Sequence, residues 1–236
     1  MADTLTLLQL RTKTRERADQ VNSQFVTDSE LNGYINYSYK EFYDLLVDAV
    51  EDYNLSSNSF TISSGNTQSL PTDFYKLRGL DDMSDPNNPR TVRKFNWNER
   101  NDYNPYVLAR LPIYDEFSDV CYRITGNNIT IEPPDNAARP YKLWYVPAPA
   151  DLSLDADVAT GINGWLEYVI LDAAIKCLVK EESDIRPLSA LKANILERIN
   201  NMKNSRDQGL PEKISRVRNR RRRGFSPYDD GTGFGY

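Results

Sequence analysis

Histidine is absent from the 236 residues. Its absence removes the Ser-His-Asp triad, the Cys-His pair and the imidazole ligands on which most catalytic zinc and iron sites depend. Cysteine is nearly absent too. Cys121 and Cys177 stand far apart in sequence, so reduced, partly buried thiols are expected rather than a disulfide framework. Apolar runs are only a few residues long, too short for a transmembrane helix. The opening "MADTLTLLQL" lacks the basic region and small-residue cleavage site of a signal peptide, so a cytosolic product with no membrane partner is expected.

Phosphate-binding and metal-binding fingerprints are missing in the forms that chemistry needs. "GTGFGY" at the end of the sequence has the wrong glycine spacing and no helix behind it to hold a pyrophosphate. In "DADVATGINGWLE" (155–167), Asp155 and Asp157 sit where the first and third calcium ligands would. Gly161 and Glu167, however, each fall one place late, so an acidic loop leading into a helix is the better reading. "DEFSD" (115–119) reads as a solvated loop, and Asp81 and Asp82, adjacent in sequence, need not converge on a substrate. No general acid–base pair emerges. No catalytic residue, cofactor or metal is expected, and the chain reads as a non-enzyme.

What is present is charge, unevenly placed. Residues 213–236 hold seven of the 29 basic and two of the 34 acidic residues. That segment therefore carries 7 − 2 = +5, and the remainder 22 − 32 = −10. An acidic body repels DNA at long range. The basic block Arg216, Arg218, Arg220, Arg221, Arg222 and Arg223 is followed by Phe225, Tyr228, Phe234 and Tyr236, interleaved with glycines. If six arginines met phosphates, binding would fall with salt at a log–log slope of about −5. The aromatic residues instead suit pockets, and glycine lets a backbone lie close to a neighbour. A protein groove is therefore the favoured partner of this arm, with a nucleic-acid-binding arm as the alternative and a solubilising tail as the bland reading.

Helical and extended signals divide the chain. An N-terminal helix runs through "LTLLQLRTKTRERADQ" with Asp3 or Thr4 as its cap. A second, over about 28–53, starts at the capping box Thr27-x-x-Glu30 and carries Leu31, Tyr34, Ile35, Phe42, Leu45, Leu46, Ala49 and Tyr53 at helical spacing. Short alternating runs such as "SFTIS", "FYKLRGL", "CYRITG", "NITIEPP" and "YKLWYVP" predict strands, with a hairpin at Gly126-Asn127-Asn128. Residues 81–119 read as a long polar loop. Helical periodicity returns with Trp165, Leu166, Val169, Ile170, Ala173, Ala174, Cys177 and Leu178, then with Leu188, Leu191, Ile195, Ile199 and Met202 after Pro187. Trp144, Trp165 and the 15 tyrosines suit a core and subunit contacts better than base stacking.

These elements predict an α+β chain, mainly α: an antiparallel helical bundle with an inserted β-rich sub-domain and an extended C-terminal arm. The expected divisions are 1–53 and 161–209 for the bundle helices, 54–160 for the insert, and 210–236 for the arm.

The order of segments resembles a known family. "LRTKTRERADQVNSQFVTDSELNGYINYSYKEFYDLL", "SLPTDFYKLRGLD", "CYRITGNNITIEPPDNAARPYKLWYVPAPADL" and "AAIKCLVKEESD", spanning about 5–205, look like the head-to-tail adaptor (connector) proteins of tailed bacteriophages. That resemblance implies a structural virion protein at the head–tail interface, forming a ring, usually a dodecamer, between the portal protein and a tail hub, nozzle or other next tail component. DNA would pass through the ring during ejection without specific binding. It further implies that 210–236 docks on the portal and that the insert, with Asn96, Trp97, Tyr103, Tyr106 and Tyr114 in its 81–119 loop, meets the tail. The arginine block and that loop match no family motif residue by residue.

Overall fold

The computed structural model describes residues 2–21, 25–50, 52–99 and 117–203. The arm, with every arginine and aromatic named in it, lies outside the described residues, as do Tyr103, Tyr106 and Tyr114.

Four helices occur among the described residues: α1 (Leu7–Arg17), α2 (Asp28–Ala49), α3 (Glu167–Lys180) and α4 (Arg186–Lys203). They are outnumbered by nine strands, β1 (Ala2–Thr6), β2 (Ser56–Thr61), β3 (Thr67–Ser69), β4 (Phe74–Asp82), β5 (Arg90–Lys94), β6 (Phe117–Thr125), β7 (Asn128–Glu132), β8 (Pro140–Pro147) and β9 (Val158–Ile162). The expectation of a mainly α chain built as a helical bundle is therefore wrong. The protein is β-rich, with a seven-stranded sheet in the order β2-β8-β4-β5-β6-β7-β3 and a separate β1-β9 pair. The physical reason lies in residues 54–147, whose short half-buried strands each give a weak sequence signal yet together build the larger sheet.

The seven-stranded sheet must curl. Its two edge strands, β2 and β3, are joined by only the five residues Ile62–Asn66. Six steps between successive Cα atoms span at most about 22 Å, whereas six strand-to-strand gaps in a flat sheet would hold the edges about 29 Å apart. The concave side closes over one core containing Ile62, Leu80, Val92, Val120, Ile129, Ile131, Tyr141, Leu143 and Tyr145. All pairings are antiparallel except β5 with β6. The predicted hairpin is present between β6 and β7. Thr125 faces Asn128, and Gly126 takes φ +59°, a left-handed value that glycine adopts without a Cβ clash.

The helices surround a second core. Leu31, Ile35, Phe42 and Leu46 of α2 meet Trp165, Leu166, Val169, Ile170, Ala173, Ala174 and Cys177 at the start of and along α3, the faces predicted from spacing. On α4, Ile199 is buried while Leu191 is 45% and Met202 37% exposed, so the predicted stripe is covered only in part. Helix α1 starts later than expected. Ala2–Thr6 pairs with β9 instead, and Thr6 forms the capping box with Gln9, so neither Asp3 nor Thr4 is the cap. The Thr27 and Glu30 box is formed as predicted.

Two helix ends close in the same way. After α1 the Gln20 N–H donates to Arg15 and the Asp19 N–H to Glu16, with Asp19 at φ +56°; after α3 the Ser183 N–H donates to Leu178 and the Glu182 N–H to Val179, with Glu182 at φ +57°. Both are Schellman closures with a non-glycine in the left-handed position.

The curled sheet is fastened to α2. The Tyr43 hydroxyl donates to the Pro147 carbonyl at 2.7 Å, Val146 packs against Tyr43 and Val47, and the Tyr75 hydroxyl donates to Asp44 at 2.6 Å. That last bond holds the Tyr75 phenol on its proton and pushes it up to about 12. Arg78 pairs with Asp52 at 2.9 Å.

Candidate partner-binding site

Alternation along β4, β5 and β6 decides which side chains reach one end of the curled sheet. Strand β5 runs parallel to β6 in a register that sets Lys94 beside Tyr122, and Ile124 follows two residues on, on the same face. With Leu77 near the start of β4 and Arg123 between them, these residues line a cavity of about 270 Å³. Leu77, Tyr122 and Ile124 also pack against the sheet core, so the cavity floor is apolar. Burial pushes the Tyr122 phenol up, keeping it neutral there.

Directly after β5, Trp97 opens a short 3-10 turn (Trp97–Glu99). Its ring lies 5.5 Å from the Arg123 guanidinium and is 47% exposed. A cation over an indole face is attracted by the ring quadrupole, so the pair holds the guanidinium beside the cavity. Asn96 precedes it in the chain. Of the five residues singled out in the sequence for tail contact, the structure thus places Asn96 and Trp97 at one corner. Lys94, Arg123 and the apolar floor were not singled out. The alternation of "CYRIT" puts Arg123 opposite Tyr122, but the parallel pairing that brings Lys94 alongside leaves no local signal.

At the opposite end of the sheet Asp82 is already engaged. A cavity of about 220 Å³ is lined by Asp82, Ser84, Asp85, Asn88, Arg90 and Arg139. There Asp82 accepts from Arg139 at 2.9 Å and from the Ser84 N–H at 2.9 Å and hydroxyl at 2.6 Å. Asp81 is turned elsewhere and accepts from the Trp144 indole at 2.7 Å. Adjacent in sequence, the two carboxylates serve different partners.

Other candidates resolve into structural roles. Asp155 pairs with Arg11, while Asp157 accepts the N–H groups of Ser153 and Leu154 at 2.7 Å each, bonds that hold its carboxyl below the usual range. Among the described residues no three His, Cys, Asp or Glu side chains are grouped to hold a metal ion. Trp165 is buried in the helical core. Cys121 and Cys177 are unbridged and buried, and burial pushes the Cys177 thiol up to about 11.

The strongest polar cluster joins three helices. Asp172, 5% exposed, accepts from Ser38 of α2 at 2.6 Å, Lys176 at 2.5 Å and Lys192 of α4 at 2.6 Å. Burial alone would raise its carboxyl, but the hydrogen bonds from Lys176, Lys192 and Ser38 outweigh that and hold it below the ordinary value. The cluster is fully satisfied and ties α4 to its neighbours. No helix among the described residues is long and apolar enough to cross a membrane.

The family model described as SU10 adaptor protein matches residues 5–225. No curated protein matches the chain.

Proposed function

The chain belongs to the SU10 adaptor protein family, and from that premise we propose that it is a structural virion component coupling the portal of a tailed bacteriophage to its tail. Copies form a closed ring, the helical part supplying side faces for repeated head-to-tail packing. DNA passes through the ring, and the −10 body keeps it from adhering. The open end of the curled sheet, with Trp97 at its corner, meets the next tail component. The segment 210–236 docks on the portal.

The observation that carries the reading is the family match across residues 5–225. The +5 segment supports the docking role, because an arm of that charge is drawn to an acidic groove on a partner. Ordering such a segment costs about 1–2 kcal/mol per residue, which a partner's contacts must offset. Removing residues 211–236 leaves a folded protein that no longer co-purifies with the portal; retained portal binding refutes the docking role.

A further inference from the structure

We infer that the cavity at the open end of the curled sheet takes an acidic peptide segment carrying one apolar anchor side chain, supplied by the next tail component. The inference rests on the reading that this corner of the molecule faces the tail, and it adds the chemistry of what binds there.

Charge placement is the first argument. On the same sheet Arg78 pairs with Asp52 and Arg139 with Asp82, whereas other cations among the described residues stand at the surface without a carboxylate, so the placing of a cation at a cavity matters more than its lack of a partner. Lys94 and Arg123 both line the cavity, and among the described residues neither forms an ion pair. The contact Arg123 makes is with the face of Trp97, which orients a guanidinium without neutralising it. A half-buried guanidinium in that position has donors to spare, and a carboxylate answers their fork geometry.

Shape is the second argument. Leu77, Tyr122 and Ile124 form an apolar floor within about 270 Å³, space suited to one large aliphatic or aromatic side chain. A concave apolar floor with a few placed polar groups is how anchor residues are received. A nucleic-acid strand needs a track of cations along its backbone. Here there are two, on a body of net −10 that repels a polyanion. An acidic peptide has the right charge on the right scale.

The test uses the full chain labelled at its three tryptophans, so that cavity binding is read locally and the basic arm does not interfere. The probe is the capped pentapeptide Asp-Asp-Phe-Asp-Asp, followed through the indole N–H resonances. The Trp97 resonance shifts on titration while that of the buried Trp165 stays in place, and replacing the peptide's phenylalanine by glycine weakens the effect. Arg123→Gln together with Lys94→Gln weakens binding about tenfold or more. Lys94→Gln alone, at an exposed position, moves it in the same direction and guards against a folding defect in the double variant. An unmoved Trp97 resonance, or equal affinity in the variants, overturns the inference, as does a stronger response to an oligothymidylate. Pull-down of the tail component separates the two levels. Capture that the double variant retains sinks the cavity assignment alone, whereas failure of the wild type to capture it, with peptide binding intact, sinks the tail-facing reading alone.

Discussion

Lys192 of α4 reaches the buried carboxylate of Asp172 on α3 at 2.6 Å, and Lys176 approaches the other oxygen of the same carboxylate at 2.5 Å. One acid thus bridges two cations that are themselves about three-quarters covered, and Lys176 has a second carboxylate, Glu41, at 3.1 Å. Removing the acid strands Lys192 and leaves Lys176 with Glu41 alone, whereas removing either lysine leaves the other in place on Asp172. Asp172→Ala should therefore cost about 2–4 kcal/mol, more than Lys192→Met, measured as the loss in urea unfolding free energy.

The same carboxylate sets a pH dependence. Its folded-state pKa lies below the unfolded value of 3.8, so its contribution is complete above that value and is lost as pH falls through the folded pKa. The stability gap between wild type and Asp172→Asn should be constant from pH 5 to 7 and shrink below about pH 4. A gap that widens on acidification contradicts the arrangement.

Gly161 leaves no room for a side chain. A Cβ there would sit 2.8 Å from the Leu166 Cγ, and Leu166 is fully buried. Gly161→Ala should destabilise by about 1–3 kcal/mol, and Leu166→Ala in the same chain should recover part of that loss. Thermal melts of the two single variants and the double variant read the coupling directly.

Glu182 holds a left-handed conformation, φ +57°, on an exposed surface after α3. Glycine adopts that conformation without the Cβ penalty of about 1 kcal/mol. Glu182→Gly should raise the unfolding free energy by about 0.5–1 kcal/mol. A loss would show that the side chain contributes something beyond the turn.

DNA binding by the isolated protein separates the adaptor reading from a nucleic-acid-binding arm. The adaptor reading expects weak binding to duplex DNA that is gone near physiological salt. Tight binding with a log–log salt slope of about −5 would favour the arm as a phosphate clamp, read by anisotropy titration across salt.

Local sequence chemistry was a good guide where contacts are local. Thr27 with Glu30, the Leu31-to-Leu46 stripe and the Gly126 turn each depend on neighbours within a few residues, and each is present in the fold. The pairing of Ala2–Thr6 with Val158–Ile162 is not local, and it moved the first cap to Thr6. The balance of helix and sheet was misread for the same reason. Long helices announce themselves through one periodic stripe, whereas a seven-stranded sheet is assembled from fragments of three to nine residues whose order no single fragment encodes. In residues 81–119, read as one loop, β5 is an internal strand whose Val92 is buried. At the candidate site Trp97 was legible as an exposed aromatic in a polar stretch. Lys94 and Arg123 came together at the cavity only through the β5–β6 register.

The short Ile62–Asn66 link also bears on solubility. By drawing the first and last strands of the larger sheet toward one another, it leaves no flat, extended flank on which further chains could stack. What remains at the margins is a three-residue strand and the hydroxyl- and amide-bearing run Ser56-Ser57-Asn58-Ser59, poor templates for accretion. A subunit that, as proposed, packs against its own copies is thereby steered away from fibrous growth.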